Sequence, residues 1–230
     1  MAKTLISLHD ACLTLAGNAG PVNILKDITL DVHKGESIGL TGPSGSGKSS
    51  LLMLLGGLER ATNGRVSVLE RDLGTMSEDQ LARFRMRHVG VVFQSFHLVP
   101  TMTALENVAT PLELSGRRDA FELARRELNA VGLDGRADHY PRQMSGGEQQ
   151  RVAIARALAP EPDILLADEP TGNLDTENGE IVMDLLLGLG EKHQSTLVLV
   201  THAAELARRC SRLIRLEDGR LAGGDTAGPA

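Results

Sequence analysis

At 230 residues, 41% hydrophobic and 23% charged, the chain suits one large domain or two small lobes around an ordinary core. Its formal net charge of -6 argues against a general nucleic-acid binder, which carries a basic excess. No apolar run reaches the roughly 18 residues that span a bilayer, the opening MAKTLISLHD is not a signal peptide, and Cys12 and Cys210 read as free thiols of a reducing compartment, so the chain is expected in the cytosol.

The first third alternates short apolar runs with turn residues, at 5–8, 24–32, 37–40 and 65–69, the last after the turn signal Asn63-Gly64. This predicts a small β-rich region leading into a strand, a loop and a helix. The helix begins near Gly47 and carries Leu51, Leu52, Met53, Leu54 and Leu55, which read as core packing. From about Pro100 to Ala159 the pattern is mostly helical, punctuated by Pro100, Pro111 and Pro141, with helical spacing over 121–131. A strand at 164–167, a helix near 177–189, a strand at 196–200, a helix after His202 and a strand at 212–216 follow, with Asp218-Gly219 as a hairpin turn. Strand and helix alternate at both ends, so the expected fold is an α/β core with a mainly parallel sheet and a helical insertion.

The loop between the third run and the helix reads Gly42-Pro43-Ser44-Gly45-Ser46-Gly47-Lys48-Ser49. It matches G-x-x-x-x-G-K-[ST], the phosphate-binding P-loop. Glycines let backbone N–H groups turn inward around a phosphate, and the following helix points its positive end there. Lys48 supplies charge for the β- and γ-phosphates, and the Ser49 hydroxyl is a Mg²⁺ ligand.

The run at 164–167 ends in Asp168-Glu169. Ligands of open α/β sheets gather at the carboxyl ends of strands. Asp168 is placed to hold Mg²⁺ through water, and Glu169 to polarise a water for attack on the γ-phosphate. His202 also ends a strand and reads as a donor to the γ-phosphate. Gln94 follows the apolar run 89–93; its amide oxygen could ligate Mg²⁺ or the attacking water, or be a plain polar residue at a strand end. Ser145, Gly146 and Gly147 open a helix that runs to Ala159 and form a second anion-receiving terminus, read either as a Gly-rich cap or as the completion of a neighbour's site.

With these motifs in place, the sequence resembles an ATP-binding-cassette (ABC) ATPase along essentially its whole length. The motifs occur in the family's order: the P-loop at 42–49, Gln94, the signature at 145–148, the strand with Asp168-Glu169, Asn173-Leu174-Asp175, and His202. The wording V-V-F-Q-S-F, L-V-P-T, A-L-E-N-V and A-D-E-P-T-G-N-L-D is similar to the lipoprotein-release and macrolide-efflux branch, the LolD/MacB type, and H-V-G-V-V-F-Q-S-F and A-R-R-C-S-R to its YbbA-type subgroup.

The resemblance implies a P-loop NTPase cassette with a RecA-like core over about 1–96 and 160–230, an N-terminal antiparallel β region, and a helical subdomain over about 97–159. It implies ATP and Mg²⁺ as cofactors. Two copies would sandwich two ATPs head to tail. Lys48, Ser49, Gln94, Asp168, Glu169 and His202 of one copy would then face Ser145, Gly146, Gly147 and Glu148 of the other, with Ser50 and Asp175 in the nucleotide-binding set. Closure would push on an integral-membrane permease of the MacB/LolC/E type through the stretch 94–108. The chain would sit on the cytoplasmic face of a bacterial inner membrane and drive export or extraction of a lipophilic or lipoprotein-type cargo, or transmit force. No nucleic-acid partner is implied.

Two departures stand out. Glu148 occupies a position where many ABC proteins have Gln, a feature of this branch. The position where the family stacks adenine on an aromatic is matched by Leu15, and no aromatic precedes Phe84. The resemblance therefore implies weaker ATP binding and poor discrimination against GTP. The rival reading is a soluble ABC ATPase uncoupled from transport. DNA-repair members carry long coiled coils between P-loop and signature, whereas here that interval is only about a hundred residues without sustained heptads.

Overall fold

The computed structural model describes residues 3–17 and 20–227, with side chains to residue 222. The chain divides into two compact units, residues 1–85 with 198–230, and residues 86–197.

The first unit opens with β1 (Thr4–Gly17) and β2 (Gly20–His33), paired antiparallel from Thr4↔His33 to Gly17↔Gly20. These strands contain the predicted runs but extend well beyond them. Ile6, Leu8, Leu13, Leu25, Ile28 and Val32 turn inward, and register shifts at Leu8/Ala11 and Ala11/Leu13 interrupt strict alternation in β1. Next come β3 (Ser37–Thr41) and α1 (Lys48–Leu55), then β4 (Asn63–Val68) and β5 (Arg71–Asp72). Four of these strands form an antiparallel sheet in the order β2-β1-β4-β5. Helix α1 brings Leu51 and Leu55 to Leu30, Val32, Ile38 and Leu40, so the leucine run is core.

Helix α2 (Glu78–His88) crosses from the first unit to the second. It falls between the predicted runs at 65–69 and 89–93. Its start carries a reciprocal cap: Gln80 N donates to Ser77 Oγ at 3.3 Å, and Ser77 N to Gln80 Oε1 at 2.8 Å. Leu81 and Phe84 bury its inner face.

In the second unit β6 (Val89–Phe93) is followed by α3 (Ala104–Leu114), α4 (Ala120–Ala130), α5 (Gly146–Leu158), β7 (Ile164–Asp168) and α6 (Thr176–Lys192). Strands β6 and β7 pair in parallel, from Val89↔Ile164 to Phe93↔Asp168. Pro111 lies inside α3 rather than punctuating the segment. A helix-interior proline costs about 3 kcal/mol. Here the Thr103/Glu106 capping box and the burial of Ala104, Val108, Ala109 and Leu112 offset it.

Strand β8 (Thr196–Val200) crosses back to the first unit, which ends with α7 (Ala204–Ala207), β9 (Arg212–Glu217) and β10 (Arg220–Ala227). Strand β9 pairs parallel with β3 and antiparallel with β10, through the predicted Asp218-Gly219 turn. Both cysteines are free; Cys210 is buried, which pushes its thiol up to about 11 and leaves it inert at neutral pH. Among the described residues no helix is long and apolar enough to cross a membrane.

Candidate functional site

The phosphate loop joins β3 to α1 in the first unit. Gly42, Gly45 and Gly47 have φ of 148°, 77° and 102°, a region that side chains rarely adopt. At Gly42 the neighbourhood also excludes a side chain, since a Cβ there would fall 2.0 Å from the Leu216 carbonyl oxygen. Pro43, Ser44 and Gly45 form an exposed rim above buried Ser46 and Lys48. Lys48 Nζ donates to the carbonyls of Gly42 at 3.0 Å and Pro43 at 2.9 Å, which closes the loop on its own ammonium. Ser46 Oγ is buried without a hydrogen-bond partner, and no side chain caps the start of α1 at Gly47. An orphaned hydroxyl, an uncapped helix start and a lysine at one loop fit an anion with several acceptor oxygens. Ser49 is exposed and Ser50 half-buried on the first turn.

Two neighbours of this loop come from distant sequence. Gly219 N donates to Ser46 O at 3.1 Å while Lys26 N donates to Gly219 O at 2.8 Å, so the β9–β10 turn pins the loop to β2. Thr201 N donates to Leu40 O at 3.3 Å, which puts exposed His202 at the same strand edge that launches the loop. Leu15 lies opposite Val22 on the β1–β2 hairpin; both are exposed, at 39% and 50%.

In the second unit, the parallel register of β6 and β7 brings two predicted elements to one edge. Phe93 is level with Asp168, so Gln94 and Glu169 are the next residues out on adjacent strands. Asp168 and Glu169 are half-buried above a strand whose other residues are fully buried. Glu169 has φ 47°, a left-handed conformation costly for a residue with a side chain. Such strain concentrates at functional positions. The Glu169 carbonyl accepts from Gly172 N at 3.0 Å, which turns the chain sharply towards Asn173 and Asp175. Asp175 caps α6: its carboxylate accepts from Asn178 N at 2.9 Å and Asn178 Nδ2 at 2.8 Å, and these bonds hold it below the usual carboxylate range.

The signature opens α5. Ser145 caps the helix by accepting from Glu148 N at 3.2 Å, and Glu148 Oε2 accepts from Ser145 N at 2.8 Å. Glu148 Oε1 accepts from Arg136 Nε at 2.9 Å. The Ser145 backbone bond, with Arg136 behind it, holds the Glu148 carboxyl below its ordinary range. Gly147 is boxed in, because a Cβ there would lie 2.3 Å from Asn178 Oδ1, whereas one at Gly146 would make ordinary contacts with Leu174 and Phe96.

Several supporting residues carried no sequence signal. Gln150 is fully buried and its Nε2 donates to Phe93 O at 3.4 Å, and Arg156 Nη2 donates to Phe96 O at 2.8 Å. Together they tie the signature helix to the turn after β6. Arg136, which holds Glu148, serves similarly. These contacts are long-range, so no local pattern marks them.

The ABC transporter family profile matches residues 25–172. The chain is 46% identical over 222 residues to the ABC transporter ATP-binding protein YbbA of Escherichia coli K12, covering 96% of this chain and 97% of that one. It is 50% identical over 223 residues to the lipoprotein-releasing system ATP-binding protein LolD 2 of Caulobacter vibrioides, covering 96% and 98%. It is 47% identical over 203 residues to the macrolide export ATP-binding/permease protein MacB of Rhodopirellula baltica, covering 86% of this chain and 30% of that longer one. Among solved structures, a dimeric post-hydrolysis state of the ATP-binding cassette MJ0796 with ADP and Pi superposes with a TM-score of 0.90 at 38% identity, covering 98% of this chain and 100% of that one.

Proposed function

This chain belongs to the ABC transporter family as an ATP-binding, ATP-hydrolysing subunit, and we propose that two copies close head to tail on two ATPs to drive a separate membrane permease. The observation that carries the reading is the pair of anion-receiving helix starts on one chain, α1 after Gly47 and α5 after Ser145. The dimeric ADP- and Pi-bound cassette that this chain resembles supports a nucleotide taking one start from each of two copies.

The roles follow from chemistry. The 42–47 backbone, Lys48, Ser49 and Ser50 take the phosphates. Ser49 and Asp168 offer oxygens only and Gln94 an amide oxygen, a set that suits Mg²⁺. When bound, the ion neutralises charge on the β- and γ-phosphates. Glu169 orients and deprotonates the attacking water, and His202 donates to the γ-phosphate. Ser145, Gly146, Gly147 and Glu148 act on the partner copy's nucleotide, and Asp175 holds the α6 start beside that surface. Gly146 tolerates a Cβ within one chain, so its lack of one serves an approach from outside the chain. Residues 97–159 form the helical subdomain, and the stretch 94–108 meets a permease of the MacB/LolC/E type on the cytoplasmic face of a bacterial inner membrane. The cargo class is lipophilic or lipoprotein-type, as the names of LolD and MacB suggest.

Exposed Leu15 and Val22 offer adenine an apolar edge without an aromatic face. Base–aromatic stacking contributes about 1–3 kcal/mol. Leu15→Tyr is therefore expected to tighten ATP binding about fivefold or more and to alter the ATP/GTP ratio. Equilibrium titration with both nucleotides checks this; an unchanged Kd and ratio contradict it.

Transport coupling is tested by capturing tagged Glu169→Gln protein from membranes in ATP and Mg²⁺ and identifying its partners by mass spectrometry. A multi-span protein recovered in fixed ratio is expected. Recovery of soluble partners alone would assign the chain to ABC ATPases uncoupled from transport.

A further inference from the structure

The side-chain amide of Gln94 can present either its oxygen or its nitrogen, and only the oxygen serves a cation or accepts from a water. We propose that Gly172 and Asn173 make this choice: Asn173 is a positioning residue that holds Gln94 Nε2 and so leaves Oε1 as the presented atom. The proposal rests on the reading of Gln94 as a metal ligand.

The orientation follows from donor and acceptor rules alone. Asn173 Nδ2 donates to the backbone carbonyl of Gln94 at 3.1 Å. A carbonyl oxygen only accepts, so this bond fixes which end of the Asn173 amide meets the backbone at Gln94. Asn173 Oδ1, which also only accepts, is then the atom offered to the Gln94 side chain. It takes a hydrogen bond from Nε2 at 3.2 Å. With Nε2 committed, the free end of the Gln94 amide is a hard oxygen, the donor type that Mg²⁺ takes. Had Asn173 been turned the other way, both bonds would be lost at once.

Gly172 supplies the room. A Cβ at that position would lie 2.8 Å from Gln94 Nε2 and 3.1 Å from Cδ. Its backbone is outside the left-handed region, so what a side chain there would meet, and have to displace, is the Gln94 amide itself. The turn Glu169 O to Gly172 N, at 3.0 Å, sets where Gly172 and Asn173 stand, so the loop that leaves the Glu169 carboxylate also aims the Gln94 amide. Asn173 touches neither nucleotide nor metal in this account; it acts through Gln94.

The test uses Mn²⁺ as the probe and a turnover-free Glu169→Gln background, with bound Mn²⁺ measured by electron paramagnetic resonance in the presence of ATP. Asn173→Ala is expected to weaken Mn²⁺ binding about tenfold, as loss of an outer-shell partner does. Gly172→Ala is expected to act in the same direction. Asn173→Ala should add nothing once Gln94 is Ala, and metal-free nucleotide binding should be unchanged. If Gln94→Ala weakens Mn²⁺ binding but Asn173→Ala does not, the proposal is overturned while the reading of Gln94 stands. The proposal is also overturned if Asn173→Ala costs as much in the Gln94→Ala background, or weakens metal-free binding equally, because the effect then bypasses the amide. If Gln94→Ala itself leaves Mn²⁺ binding unchanged, the ligand reading of Gln94 falls, and the proposal with it.

Discussion

Glu169→Gln is expected to reduce ATP turnover by about 10²- to 10⁴-fold, the span of a positioned general base, with ATP binding retained. The substitution keeps volume and one acceptor oxygen and removes the charge that takes the water's proton. The backbone supports it: Glu169 already holds its φ of 47° through the Gly172 N–H, and a buried β7 anchors the residue before it. The folded state therefore has no reason to change, and ATP-bound dimers should accumulate because the step that separates them is blocked. Steady-state phosphate release together with light scattering in ATP checks both halves. Near-normal turnover would remove Glu169 from the role of base.

Lys48→Ala acts one step earlier, on binding. The ammonium is buried and donates to Gly42 O and Pro43 O, so the substitution takes away the phosphate's counter-charge and leaves two loop carbonyls without their donor. Hydrogen bonds to charged groups contribute about 1.5–3 kcal/mol each. ATP affinity is expected to fall at least about tenfold, and the melting temperature to fall by several degrees because the two loop bonds are lost as well. Lys48→Arg should not restore it, since a planar guanidinium does not reproduce the compact ammonium's bonds to Gly42 O and Pro43 O. Titration with ATP and a thermal melt on each variant separate a binding loss from a folding loss. Wild-type affinity in Lys48→Ala would contradict the assignment.

Much of this site is legible in the sequence because its chemistry is local. The P-loop is a run of adjacent residues whose glycines have a stereochemical reason, and Asp168-Glu169 sits directly on an apolar strand. The antiparallel hairpin is visible only as short runs, since the exposed polar residues of β1 and β2 read as turns and register shifts interrupt their alternation. Helix α2 has a local signature outside the apolar runs: Ser77 and Gln80 form a capping box before Leu81 and Phe84. Pro111 misled because the cap and buried face that outweigh it are tertiary. Asn173 meets Gln94 across 79 residues and Gln150 meets Phe93 across 57, so these supports become visible only when the chain is folded. Glu169's left-handed backbone has no sequence signature at all.

The central claim is that each ATP site takes Lys48 from one copy and Ser145 from the other. It is tested most directly by mixing two inactive variants, Lys48→Ala and Ser145→Arg, and measuring ATPase activity across mixing ratios. Alone, each variant has a defect in both sites of its dimer. In a mixed dimer both defects fall in one site and the other is intact, so activity above both parents, highest near equal mixing, is predicted. A mixture that only averages its parents would contradict a site shared between two copies.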